Sequence, residues 1–133
     1  MTEVKPLVEQ PRSAIDRLET WLPRVALAIV FVLFGALKFA AHSMYVRIFD
    51  EIGLGQWFRY FTGTVELVGG LLFLIPAATA VGAAMLIATM CGAMAVHFFV
   101  FRHPANSIFP AMYLVGVILA FAKLREERRT HDA

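Results

Sequence analysis

Residues 77–101 read AATAVGAAMLIATMCGAMAVHFFVF, with no Asp, Glu, Lys or Arg among them. The apolar residues run on without the every-other-residue alternation of a half-exposed strand. The stretch is longer than the ~20 residues a helix needs to cross ~30 Å of hydrocarbon. Only helices and closed barrels satisfy their backbone inside a bilayer, so a continuous run reads as a membrane helix. Three similar runs flank it, at about Leu22 to Ala41, Phe58 to Ile75 and Ala105 to Ala122. Together they predict an all-α fold, an integral membrane four-helix bundle.

The whole chain has the composition this reading requires. Hydrophobic residues make up 59% of its 133 residues and charged residues 17%, with a mean hydropathy of +0.70. Ordinary globular proteins run at ~45–50% and ~25%. These values exclude a disordered chain, and the single cysteine, Cys91, excludes a disulfide scaffold. The pI of 9.0 does not point to nucleic acid. Of the twelve Lys and Arg, eight sit in the two tails: Lys5, Arg12, Arg17, Arg24, Lys123, Arg125, Arg128 and Arg129. That is a topology signal. An even number of spans puts both tails on one side, and the other side holds at most Lys38, Arg47, Arg59 and Arg102. The positive-inside rule then makes both termini cytoplasmic, with the 42–57 loop and the turn around Arg102–Asn106 facing outward.

The organisation that follows is an N-terminal cytoplasmic or interfacial segment over 1–21, a four-span domain over 22–122, and a basic cytoplasmic tail over 123–133. The first run is expected to be a true span, not a signal peptide, because 21 mostly polar residues precede it. Ser13-Ala14-Ile15-Asp16 resembles a helix start with a capping box, leading a short interfacial helix into the span. Arg24 and Arg59 lie near run ends, where arginines snorkel. Ala80, Ala84, Ala88 and Gly92, at four-residue spacing, predict close helix packing on one face of the third span. Met90, Met94 and His97 share the opposite face, and two methionines there read as core filler, not as a metal box. Cys91 reads as an inert apolar residue.

Chemistry in such a chain rests on its few intramembrane polar residues. Glu66 lies about nine residues into the second span, where a carboxylate is expensive unless paired or protonated. Arg59, Thr62, Gly63, Glu66, Gly69, Gly70 and Phe73 form one stripe at helical spacing, and the glycines leave room for another backbone or a flat ligand. Lys38 closes the first span, sharing a face with Phe31, Phe34, Gly35 and His42; it either snorkels or reaches inward to Glu66. His97 ends the third span, as a core histidine or a working one. His42, His103, Asn106 and Tyr113 add polar groups at the same level, His42 and His103 as loop residues. Antiparallel spans bring Lys38, Glu66, His97 and Asn106 into the same outer half, which predicts a polar pocket between helices. Glu66, Lys38 and His97 are the candidate catalytic residues. Arg59, Thr62, Gly63, Gly70, Asn106 and Tyr113 are the candidate ligand-binding residues, and no metal site is expected.

Several of these stretches resemble the DoxX family of small four-helix membrane proteins. They are Phe34-Gly35-Ala36-Leu37-Lys38-Phe39, the Gly53–Gly63 segment, the Glu66–Pro76 run and Thr89 through Val100. The Gly-Lys end of the first helix and the Gly-x-x-Glu-x-x-Gly-Gly run carry most of the specificity, and the likeness covers about Trp21 to Ala122. It implies a multi-pass protein of the bacterial inner membrane, with Lys38, Glu66 and His97 at the family's polar positions. Through the thiosulfate–quinone oxidoreductase subunit that gives the family its name, it also implies quinone-linked chemistry. The expectation is a subunit or accessory of a membrane redox system, with no stand-alone activity, a partner subunit and a quinone as carrier. A second copy of the chain is an alternative partner. The alternatives in function are a small proton-coupled transporter using Glu66, a non-catalytic anchor or assembly factor, and haem binding by His42 and His97.

Overall fold

The computed structural model describes residues 14–131. The expected cap Ser13 and the basic residues Lys5 and Arg12 lie outside the described residues. Five α-helices follow in order: α1 Ala14–Phe39, α2 Ser43–Ile52, α3 Gln56–Leu74, α4 Thr79–Phe99 and α5 Ile108–His131, with a 3-10 turn at Pro104–Ser107 before α5. The four long helices match the four apolar runs. The expected interfacial helix and first span form one continuous helix that runs through Pro23.

α1 packs on α3, α3 on α4, α4 on α5, and α5 returns to α1. One core cluster draws on all four: Phe31 from α1, Phe73 from α3, Ala83, Leu86 and Met90 from α4, and Val117 from α5. Outside it, large apolar residues such as Ile29, Leu33, Val81, Phe98, Ile118 and Leu119 are exposed. An apolar exterior on this scale suits lipid, not water. Among the described residues three helices are long and apolar enough to cross a membrane: α1, α4, and the 3-10 turn with α5. α3 runs to 19 residues, but its inward stripe carries Arg59 and Glu66, and these lower its hydropathy.

Lipid tails are as apolar as leucine, so helices in a bilayer associate through close packing, not through burial from water. The α1–α3 crossing shows this. A Cβ on Gly35 would come within 2.7 Å of the Gly63 carbonyl oxygen, so only glycine fits there. The α3–α4 crossing turns on Gly82, whose added Cβ would strike the Phe73 backbone nitrogen and lie 2.7 Å from the Gly69 oxygen.

That face of α4 corrects one expectation. Its buried residues are Thr79, Gly82, Ala83, Leu86 and Met90. Ala80, Ala84, Ala88 and Gly92 point outward, with no neighbour within 4 Å of a Cβ built on Gly92. Both faces carry small residues, so spacing alone did not distinguish them; the bulkier Leu86 and Met90 mark the packed side.

The segment between α1 and α3 is a second correction. The expected loop contains α2, with Met44, Tyr45, Ile48, Phe49 and Ile52 at helical spacing and Gly53 closing it in the left-handed region at φ 78°. Phe49 is buried and stacks edge-on against Phe58 of α3 at 5.8 Å between ring centroids.

Candidate functional site

α1 buries one stripe: Thr20, Arg24, Ala28, Phe31, Gly35 and Lys38. α3 buries the facing one: Arg59, Gly63, Glu66, Gly69, Gly70 and Phe73. Thr62, expected on that stripe, is half-buried and returns its hydroxyl to the Arg59 carbonyl at 3.1 Å. The two stripes therefore carry two basic residues of α1 and two charged residues of α3 into the same seam.

At one end of the seam Lys38 and Glu66 meet. Lys38 Nζ donates to Glu66 Oε2 at 2.5 Å, with the residues 7% and 2% exposed. The lysine does not snorkel. Two aromatic rings of α2 cover its ammonium, Tyr45 at 5.6 Å and Phe49 at 5.9 Å from the ring centroids. Aromatic faces attract a cation that has lost its water, so α2 helps to hold the charge it encloses. Burial, with the Glu66 carboxylate adding to it, pushes the Tyr45 phenol up from its ordinary value, leaving an uncharged wall beside the pair at neutral pH.

Arg59 does not snorkel either. It is 3% exposed and donates to the Lys38 carbonyl, one of the acceptors left over at the end of α1. Its Nε donates to Gln56 Oε1 at 2.6 Å, and the Gln56 amide donates in turn to Val46 O and Asp50 Oδ1 of α2. Gly63 and Gly70 give their space to α1: an added Cβ would meet Lys38 Cβ at 3.1 Å and the Ala28 carbonyl at 3.2 Å. Of the two occupants the sequence allowed, the neighbouring helix α1 lies against these glycines. Tyr113 packs its ring against Phe31 and Phe34, at 6.0 and 5.4 Å between centroids.

His97 and Asn106 lie in a separate place. They line an open cleft of about 600 Å³ with Val100, Phe101 and His103, and with Ile48 and Glu51 of α2 as its further wall. The His97 ring stands edge-on to Phe101 at 5.5 Å. Its Nδ1 is buried, and together with the Ser107 hydroxyl it has no hydrogen-bond partner among the described residues. The single outer pocket expected from sequence is thus two places at the same end of the bundle, a sealed ion pair and an open cleft, with α2 facing both. His42 is exposed and beyond the end of α1, edge-on to Tyr45, which leaves the haem reading without support.

The opposite end of the seam holds Arg24, also placed by sequence at a snorkelling position and in fact 2% exposed. Its Nε donates to the Phe73 carbonyl at 2.6 Å and its Nη2 to the Thr79 hydroxyl at 2.7 Å, with Trp21 packed against the guanidinium. Arg128 donates to the Pro76 carbonyl, and Thr20 to Glu127. The turn joining α3 to α4 is clamped from both α1 and α5.

Sequence reasoning did not find Tyr45, Phe49, Gln56 or Glu51, all of them in or beside α2. The signal was present as apolar residues at three- and four-residue spacing over 44–52, ahead of a glycine stop.

The profile of the DoxX-like family matches residues 23–121. The putative oxidoreductase CatD of Bacillus subtilis (strain 168) is 32% identical over 75 residues, which is 56% of this chain and 56% of that protein. The matched stretch thus spans little more than half of the relative's length. No solved structure matches. The chain belongs to the DoxX-like family.

Proposed function

We propose that this DoxX-like chain is a four-span subunit of a redox system in the bacterial inner membrane, with both termini in the cytoplasm. In this reading it serves a quinone or a similar flat, lipid-soluble carrier at the end of the bundle where α1 stops and α3 starts. The observation that carries the reading is the Lys38–Glu66 contact at 2.5 Å, sealed among membrane helices. Ionisable residues are costly there and mark paths for protons or ligands. The relative named as a putative oxidoreductase supports a redox setting.

The cleft residues fit a carrier of this kind. Ile48, Val100 and Phe101 offer an apolar wall, and His97, His103 and Asn106 offer hydrogen bonds to carbonyl oxygens. The unpartnered Nδ1 of His97 is a buried polar atom that such a carbonyl would satisfy. A bound quinol would supply two electrons and two protons on its oxidation. His97 and Asn106 orient its headgroup; Glu66 Oε2 accepts a proton, and Lys38 stabilises the carboxylate once the proton leaves. Arg59 holds the end of α1 so that Lys38 keeps its place. In this reading the electrons pass to a partner subunit.

The test is extraction of the protein purified in mild detergent, with mass spectrometry of bound small molecules. A stoichiometric quinone is expected, lost in His97→Ala. Glu66→Gln should keep the carrier and abolish quinol-coupled turnover with the partner. Phospholipid alone in the extract would overturn carrier binding. A pH-driven flux in liposomes that vanishes in Glu66→Gln would replace it with proton-coupled transport.

A further inference from the structure

α2 stands between the two parts of the site. Tyr45 and Phe49 face the Lys38 ammonium, while Ile48 and Glu51, on the adjoining face of the same helix, line the cleft with His97. Both of its connections carry backbone in the left-handed region. Ala41, before it, has φ 53°, and Gly53 and Gly55, after it, have φ 78° and 86°. Alanine is uncommon in that region, so the turn into α2 is held there by its surroundings. The hydrogen bonds from α3 to α2 among the described residues come from one side chain, Gln56, which reaches both Val46 O and Asp50 Oδ1. Ring packing of Phe49 on Phe58 and the Lys38 ammonium under Tyr45 and Phe49 add to the attachment.

We infer that α2 is a hinged lid, latched by Gln56, whose lifting joins the sealed Lys38–Glu66 pair to the open cleft. Gln56 is a positioning residue in this scheme. Its amide nitrogen holds the lid, and its oxygen holds Arg59, which in turn holds the Lys38 carbonyl. Release of the latch therefore loosens the cover and the end of α1 together. With the lid down, the pair is dry, each charge is answered by the other, and no proton reaches Glu66 from solution. With the lid up, the rings leave the ammonium, and water or a headgroup in the cleft reaches the carboxylate. The inference deepens the site proposed above but needs neither a quinone nor a redox partner, so the two fail separately.

The experiment measures how fast Glu66 reacts with a water-soluble carbodiimide in the presence of a small amine, in the full-length protein in detergent. The activated carboxyl is trapped as an amide by the added amine or by Lys38 itself, and both products are scored by peptide mass. Glu66→Gln supplies the blank. Gln56→Ala should react about tenfold faster than the unaltered protein, the change expected when one hydrogen bond to a charged acceptor is lost. Asp50→Cys with Gln56→Cys, in a Cys91→Ala background, decides the matter even if Gln56→Ala is poorly folded. Reduced, this variant should react as fast as Gln56→Ala. Bridged by a short bifunctional thiol reagent, the same molecules should react no faster than the unaltered protein. Equal rates in the bridged and reduced forms would overturn the lid, as would a rate in Gln56→Ala that does not change.

Discussion

Arg24 and Lys38 are two buried cations on one face of one helix, four turns apart and separated by roughly 21 Å of axis. They are held in opposite ways. Arg24 is answered by a main-chain carbonyl and a hydroxyl at the turn between α3 and α4, with an aromatic ring packed beside it. Lys38 is answered by a carboxylate in the middle of α3, under a cover of two rings. The first arrangement ties acceptors that a helix end leaves over, and its partner cannot change charge state. The second pairs two groups that can each gain or lose a proton, behind an element with hinged connections. One end of the bundle is built as a clamp and the other as a covered ion pair.

Substitutions can separate the two designs, beginning with the largest effect. Lys38→Met leaves a carboxylate buried without its partner and should cost about 3–5 kcal/mol, read as resistance to denaturant-driven unfolding in mixed micelles. Adding Glu66→Met should restore most of that loss, because the pair is mutual. A double variant no better than the single would break the comparison at the site end. Arg24→Met should cost about 1.5–3 kcal/mol in the same assay, by stranding acceptors that had a charged donor. No change to Phe73 can compensate, since its acceptor is main chain. Arg24→Lys should recover only part of the loss, because an ammonium does not reproduce the two directed bonds of a guanidinium. Full recovery would mean that charge, not the fork, makes the clamp. Smaller again, Gly82→Ala should cost about 1–3 kcal/mol by forcing α3 and α4 apart. On the outward face, Gly92→Ala should be neutral or raise stability by a few tenths of a kcal/mol, since alanine is the better helix former and its Cβ meets nothing.

The long helices were legible because lipid imposes length and hydropathy on any chain that crosses it. The α3 stripe was legible for a related reason: Arg59, Glu66 and the glycines break an apolar run at the spacing of one face, and the structure buries six of its seven residues. Lys38 beside Glu66 was one of two readings left open by helix direction, the other being a lysine that snorkels. What was not legible depended on three-dimensional detail. The two arginines read as snorkelling because both sit near run ends, and their acceptors on other helices have no sequence signature. The packed face of α4 was misread because small residues line both sides of that helix. α2 was passed over as loop because its charges mask its periodicity, and with it went Gln56, Tyr45 and the division of one pocket into two places.

α3 carries a consequence for how the protein is made. Its arginine and glutamate face inward, where α1 and α2 satisfy them, and its glycines fit only against other helices. In the four-span reading proposed above, a newly synthesised α3 meets the bilayer with two charges, and the one near its middle, Glu66, disfavours insertion of an isolated segment by about 2.5–3.5 kcal/mol. α1, already threaded and strongly apolar, is then the surface on which α3 enters. In that reading Lys38 and the carbonyl it presents to Arg59 act as an internal chaperone for the helix that follows them, so that the residues of the proposed site also admit its second wall to the membrane.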